Sequence, residues 1–249
     1  MGETIVAVIP IRGSDDEFRD GPRPLLGGRP LIDYTLLAAQ AARRLDRVIV
    51  STDSEPIAAC CRSAGVEAPF LRPRALSAPA ATVTEVLRHA VEWLEAAEQF
   101  RTDWVVKLEI THPFRPPGII DLLIETALAQ PVDSAVLAYE EMHSYWTLDE
   151  AGSPVQVGQE VDVPRGLRRP FYRDASGIAA ITRTANLRAG TLYGSRVGLV
   201  PCRELWALVD THEGAGDSYR DRLGFRLAEA LAAQFQQAYG SAEPLGRDA

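Results

Sequence analysis

The stretch whose reading decides the fold is Ile5-Val6-Ala7-Val8-Ile9-Pro10-Ile11-Arg12-Gly13-Ser14-Asp15-Asp16-Glu17-Phe18-Arg19-Asp20-Gly21-Pro22-Arg23-Pro24, followed by Leu25-Leu26-Gly27-Gly28-Arg29-Pro30-Leu31-Ile32. Ile5 to Ile9 is a short apolar run rich in β-branched residues, the signature of a buried strand. It ends at Pro10 in an irregular polar loop that carries Gly13, Gly21, Arg12, Arg19 and Arg23, and a helix starts near Leu31. Such a loop suits phosphate: glycines allow close backbone approach, arginines match phosphate oxygens in pairs, and the loop leaves the C-terminal end of a strand. No Gly-Lys-Ser or Gly-Lys-Thr follows, so this is not the standard phosphate loop, and it is not the dinucleotide fingerprint. The alternative is a surface loop held by local salt bridges.

Outward from this stretch the same rhythm repeats. Leu31 to Arg43 reads as a helix with Pro30 at its first turn. Asp46 to Asp53 is a second strand with a polar end at Ser51-Thr52-Asp53, and a helix near Glu55 to Ala64 closes at Gly65. Val66 to Leu71 is expected as a short third strand. Thr82 to Ala97 is a long helix with Val83, Val86, Leu87, Ala90, Val91 and Leu94 on one side. Trp104 to Leu108 is a fourth strand ending in Glu109-Ile110-Thr111-His112-Pro113-Phe114-Arg115; Gly118 to Leu128 is a helix and Ser134 to Tyr139 a fifth strand. Alternating strands and helices imply a mostly parallel sheet covered on both faces, with ligands at the C-terminal strand ends. Arg12 to Arg23, Ser51 to Asp53 and Glu109 to Arg115 are therefore candidate site segments together.

The rhythm breaks between residues 140 and 174, where Tyr145 and Trp146 lie in a short hairpin excursion and Arg165, Arg168, Arg169 and Arg173 form a basic arm. Ser176 to Ile181 returns to the core as a strand, Arg196 to Pro201 is the last strand, and residues 216–239 hold a closing helix. One domain over residues 1–240 with an inserted arm, and a frayed tail at 241–249, is the expected organisation.

Composition narrows the partners. The chain has 249 residues and a formal net charge of -8, which disfavours nucleic acid or an anionic membrane as the main partner but not a nucleotide. Three cysteines, Cys60, Cys61 and Cys202, give neither a disulfide framework nor a metal spacing, and read as buried thiols of a reducing compartment. With no signal peptide and no apolar run of about 18 residues, a cytoplasmic protein without a membrane span is expected.

Several segments together resemble the CMP-sugar synthetases, the cytidylyltransferases that activate sialic acids and related nonulosonic or ulosonic acids. They are Ala7 to Arg12, Arg23 to Thr35, Asp46 to Ala58 (with Arg47-Val48-Ile49-Val50-Ser51-Thr52-Asp53-Ser54-Glu55), Phe70-Leu71-Arg72-Pro73, Thr111 to Arg115 and Ser176 to Ile181, in matching order over residues 5–230. The resemblance implies a three-layer α/β fold of the nucleotide-diphospho-sugar-transferase type, mainly parallel, with the excursion serving a homodimer. It implies transfer of CMP from CTP to an acidic sugar or other small anionic acceptor, with Mg2+ as cofactor and pyrophosphate released; transfer of another nucleotide, or a non-catalytic binding role, is the alternative.

By the same resemblance Arg12, Gly13, Ser14, Arg19, Arg23, Ser51 and Asp53 fall to the nucleotide. Glu109, Arg115, Arg165, Arg168, Arg169, Tyr172 and Arg173 fall to the acceptor, and Arg12 and Asp210 to catalysis, with Asp210 holding the metal. Three departures stand out. The family's lysines are missing from the loop, where Asp15, Asp16 and Glu17 stand; like charge beside a triphosphate repels unless a metal lies between. Of the family's two metal-binding aspartates Asp210 matches the second, while Leu208 occupies the first place. Glu109 replaces a glutamine that faces the acidic sugar in the family, so either the acceptor is not an ordinary sialic acid, or Glu109 is protonated, or the pocket takes a less acidic or amine-bearing substrate. Among the histidines, His112 lies in the family loop and His89 is expected on an exposed helix face.

Overall fold

The computed structural model describes residues 2–15, 18, 21, 23–158, 163–164, 167–215 and 218–238, the last three of these by backbone alone. Asp16, Glu17, Arg19 and Arg165, named above, lie outside the described residues, as does the tail at 241–249.

The opening run folds as strand β1, Ile5–Ile11, buried along nearly its whole length. Its alternation shows why: Ile5, Ala7, Ile9 and Ile11 join the core on one side, Val6 and Val8 the core on the other. A two-residue hairpin follows, β2 Leu25–Leu26 with β3 Arg29–Pro30, leading into the helix. Its turn, Gly27-Gly28, has positive φ at both positions, the conformation such tight hairpins require. Then come α1 Leu31–Ala41, β4 Arg47–Thr52, α2 Glu55–Ser63, α3 Val83–Glu98, β5 Trp104–Lys107, α4 Ile119–Ala129 and β6 Ser134–Glu141. Helix α3 begins at a capping box in which Thr82 and Glu85 exchange side-chain and backbone bonds, and its buried stripe Val86, Leu87, Ala90, Val91 and Leu94 covers the second face of the sheet.

The excursion is a hairpin, β7 Tyr145–Leu148 with β8 Pro154–Val157, exposed along most of both strands. The chain returns as β9 Phe171–Asp174 and β10 Ala180–Arg183, then α5 Thr184–Arg188, β11 Val197–Pro201 and α6 Leu223–Ala238. The main sheet has the order β11-β6-β10-β5-β1-β4, with β9 paired to β6 beyond β10. Strands β4, β1 and β5 are parallel, as are β6 and β11; β10 runs antiparallel between β5 and β6. This is the mainly parallel α/β class expected.

Three local expectations are corrected. Val66 to Leu71 makes only two isolated bridges, Ile49 with Glu67 and Thr52 with Leu71, because Pro69 and the turn into Arg72 interrupt the ladder. The returning strand is Ala180–Arg183 rather than Ser176 to Ile181, because Ala175 to Ala179 bulges away to break one long strand into β9 and β10. The closing helix, Leu223–Ala238, lies within the segment expected to hold it. His89 is half-buried, its ring edge-on to Phe70 with centroids 4.9 Å apart.

Candidate active site

The three polar segments expected at the strand ends meet where the topology puts them. After β1 the Arg12 Nε donates to Asp15 Oδ1 at 2.7 Å, so one loop acid is neutralised by the arginine that opens the loop. The Gly13 N–H donates to Asp53 Oδ1 at 2.8 Å. Gly13 is required there, because a Cβ would stand 2.6 Å from the Ser54 Cβ. Ser14 is exposed at the turn. Beneath the loop, Arg72 is 5% exposed and ties the ends of β1 and β4 together, donating from Nη1 to the Ser51 carbonyl at 3.1 Å, from Nη2 to the Ile11 carbonyl at 3.2 Å and from Nε to Ser77 Oγ at 3.0 Å. Ser51 is fully buried under this clamp, and its hydroxyl cannot reach a nucleotide. Its place in the nucleotide set is corrected accordingly; Arg72, quoted only as part of a motif, is the residue that organises these strand ends. Arg23 lies 3.4 Å from the buried carboxylate of Asp33. Burial pushes the Asp33 carboxyl above its ordinary range, and Arg23 and Arg29 pull against that rise.

Arg115 is also corrected. It was assigned to the acceptor, yet it is 5% exposed and its donors are taken by the protein: the carbonyls of Ile178, His112, Glu109 and Gly177 at 2.8, 2.7, 2.6 and 3.3 Å, and Thr35 Oγ1 at 2.8 Å. Burial draws its pKa down to about 9, which still leaves it charged at neutral pH. It is the knot that fixes the loop after β5 against the bulge between β9 and β10.

The consequential residue that sequence reasoning passed over is Lys107. It ends β5, its side chain is 5% exposed, and its ammonium is ion-paired with Glu109, with Ser176 Oγ at 3.5 Å. Burial alone would raise the Glu109 pKa; the Lys107 ammonium, by charge and hydrogen bond, with His112 and Arg115 adding, holds it below the ordinary value instead. Glu109 is thus ionised, which removes a protonated Glu109 from the alternatives named above. The available signal was a lysine closing an apolar strand two residues before a glutamate, on the same side of extended chain.

Beside this pair the half-buried His112 packs against Gly177, where a Cβ would stand 2.2 Å from the imidazole ring. Its Nδ1 lies 3.2 Å from Thr111 Oγ1. Burial lowers its pKa despite the opposing pull of Asp210 and Glu109, so it is neutral at pH 7. A cavity of about 250 Å³ opens here, lined by His112, Arg173, Asp174, Leu208, Asp210 and Glu213, among others. The Thr211 N–H donates to the Thr111 carbonyl at 2.8 Å and ties Asp210 to the β5 loop. Asp210 Oδ1 accepts the His212 N–H at 2.8 Å. Leu208 is 8% exposed and packs into the main core, which is how the chain tolerates an apolar residue at that place.

The arm delivers the remaining residues. Arg173 is paired with Glu141 at 3.4 Å, Tyr172 donates to Glu140 Oε2 at 3.4 Å, and Arg168 donates to the Val163 carbonyl at 2.9 Å. Arg169 is exposed.

An α/β sheet whose strand ends gather a glycine-arginine loop and an acid-lined cavity is of the class that binds ligands at the C-terminal ends of its strands. The cytidylyltransferase family profile matches residues 6–203, and the chain belongs to that family. It is 33% identical over 184 residues to a 3-deoxy-manno-octulosonate cytidylyltransferase of an Anaeromyxobacter species, covering 72% of this chain and 69% of that one. It is 33% identical over 123 residues to the CMP-N,N'-diacetyllegionaminic acid synthase of Legionella pneumophila, covering 49% of this chain and 52% of that one. The chain thus spans about half the length of that relative (52%). Among solved structures, a CMP:2-keto-3-deoxy-manno-octonic acid synthetase complexed with CTP superposes with a TM-score of 0.63 at 16% identity over 94% of this chain and 100% of that one, a likeness of fold. Among the described residues no helix is long and apolar enough to cross a membrane.

Proposed function

We propose that this protein transfers CMP from CTP to an acidic sugar of the nonulosonic-acid kind, or to another small anionic acceptor, and releases pyrophosphate. The observation that carries the reading is the meeting of Arg12, Gly13 and Asp53 at the ends of β1 and β4, inside the segment matched to cytidylyltransferases. On this reading the backbone at Gly13 and Ser14, with Arg12, Arg19 and Arg23, receives the triphosphate. Arg165, Arg168, Arg169, Tyr172 and Arg173 receive the acceptor's carboxylate, and part of that arm crosses a homodimer interface. The exposed apolar hairpin, with Trp146 at 63% and Leu148 at 67% exposure, supports the dimer.

The family implies Mg2+. Among the described residues no three His, Cys, Asp or Glu side chains form a group able to hold a metal. Asp210 keeps one carboxylate oxygen beyond the His212 contact. That fits Mg2+, which takes one or two carboxylates and completes its shell with phosphates and water, provided the ion arrives with the nucleotide. Asp210 would hold it, and the ion would supply charge neutralisation at the phosphates. The chain's own part is positioning: Arg72 fixes the strand ends, Arg115 the acceptor-side loop, and the arginines offset charge as the acceptor hydroxyl attacks the α-phosphorus.

The test is pyrophosphate release from CTP against a panel of acidic sugars, with CTP, UTP, ATP and GTP binding compared at equal Mg2+. Tighter binding of a purine triphosphate than of CTP, or no turnover with any acceptor and no tightening of CTP by Mg2+, would replace this reading with a non-catalytic one, which the altered loop and Leu208 favour.

A further inference from the structure

The loop after β5 borders two cavities. His112 lines the acid-lined one described above, and Pro113, the next residue, lines a second and larger one of about 850 Å³. No described residue lines both. The larger cavity runs along α1 and the start of α4. Leu37 and Ala38 come from α1, Pro117 and Ile120 from α4 and the turn before it, and Tyr34 and Phe235 add aromatic surface. Its volume lies in the range of small-molecule sites, roughly 300–1,000 Å³, and so does its mixture of apolar walls with a few charged groups.

The charge of the lining points to the kind of ligand. Among the described residues Arg29, Arg43, Arg44 and Arg115 face Asp121 and Glu125, an excess of two positive charges in a chain whose net charge is -8. Both acids are already engaged within the protein. Asp121 accepts the backbone N–H groups of Arg43 and Arg44 at 3.1 and 3.0 Å, and Glu125 pairs with Arg44 at 2.9 Å. Arg115 matters most, because it is buried and its hydrogen bonds go to neutral acceptors, four carbonyls and one hydroxyl. The carboxylate whose charge acts on it, Glu109, is ion-paired with Lys107. The burial that draws the Arg115 pKa down to about 9 reflects this shortage of countercharge. A buried cation short of countercharge is costly, and an anion in the adjoining cavity offsets that cost through its field, without needing any Arg115 N–H. Arg29, over the Tyr34 ring at 5.8 Å from its centroid, and the exposed Arg43 stand where an acidic head can meet them directly.

We propose that this cavity is a second ligand site, which takes a small organic anion made of an apolar body and one acidic group. The apolar body packs on α1 and the turn before α4, and the acid lies among the arginines. The site is independent of the cytidylyl-transfer reading, since the two cavities share no lining residue, and CTP and the anion are expected to bind together.

The test is calorimetry on the full chain with two probe pairs, 2-naphthoate against its neutral amide for a ring-shaped body and octanoate against its neutral amide for a chain. Each titration is run with and without saturating CTP and Mg2+. At least one carboxylate should bind once per chain, about fivefold or more tighter than its amide, and equally well with CTP present. Arg43→Glu, an exposed position, should bring acid and amide to within about twofold, while the melting temperature and CTP affinity hold. Ala41→Trp, at an exposed position on the cavity wall, should weaken acid and amide alike by about fivefold or more. If Ala41→Trp does not fold, Arg43→Glu decides alone. No saturable binding of either carboxylate, equal binding of acid and amide, or a preference that Arg43→Glu leaves unchanged overturns the proposal. Loss of the anion on adding CTP overturns it too, by placing the anion in the transfer site. If light scattering shows Ala41→Trp turning a dimer into monomer, the cavity belongs to an interface between copies, and the proposal is again overturned.

Discussion

Arg115→Met is the perturbation that separates scaffold from acceptor contact. The guanidinium holds four carbonyls and the Thr35 hydroxyl from a buried position, joining the β5 loop, α1 and the bulge after β9. Methionine of similar length fills the space but donates nothing, so those carbonyls lose their partners in a site that water does not freely reach. Hydrogen bonds to a charged group are each worth about 1.5–3 kcal/mol net and are not additive, and removing one side of a buried charged arrangement costs about 3–5 kcal/mol. For a domain of this size 1 kcal/mol moves the melting temperature by about 2–4 °C, which places the expected drop between ~6 and ~20 °C. Urea titration or a thermal melt reads it directly, with the fluorescence of the buried Trp104 as one probe. Arg115→Lys should recover only part, because an ammonium lacks the planar fork. A melt within about 2 °C of the parent, together with a raised acceptor KM, would refute the reasoning and return Arg115 to the acceptor.

Four further outcomes are expected. Asp210→Asn should lower pyrophosphate release by about 10²-fold, while CTP binding measured without Mg2+ stays as it was. Gly177→Ala drives a Cβ into the His112 ring and should cost about 1–3 kcal/mol by denaturation, with acceptor turnover reduced as the loop shifts. Acid titration carries a sign: the Glu109 pKa is lowered on folding, so its stabilisation is full above the unfolded value near 4.5 and is lost as pH falls through the lower folded value. In Lys107→Met burial dominates, the folded value rises above the unfolded one, and stability should instead fall as pH climbs from about 4.5 toward 7, which melts across that range will show. Light scattering should give a dimer at micromolar concentration, and Trp146→Asp on the exposed hairpin should give monomer.

The sequence alone determined the alternation of strands and helices, since apolar runs of period two and stripes of helical period are local properties of the chain. Val6 and Val8 fall opposite Ile5, Ala7 and Ile9 by geometry of the extended backbone, whatever they pack against. It also determined that Arg12, Asp53 and Glu109 lie at C-terminal strand ends, because each directly follows such a run. What it left undecided was which polar groups consume one another. Arg12 faces Asp15, Arg23 faces Asp33, and Arg115 is spent on carbonyls from two separate segments and on the hydroxyl of the more distant Thr35, so only the folded chain reveals where its donors go. The break between β9 and β10 was equally illegible, because pairing with β6 sets it and not local propensity. The ionisation of Glu109 was decided last of all: the burial that raises it and the ammonium that lowers it both exist only once β5 is closed between β1 and β10.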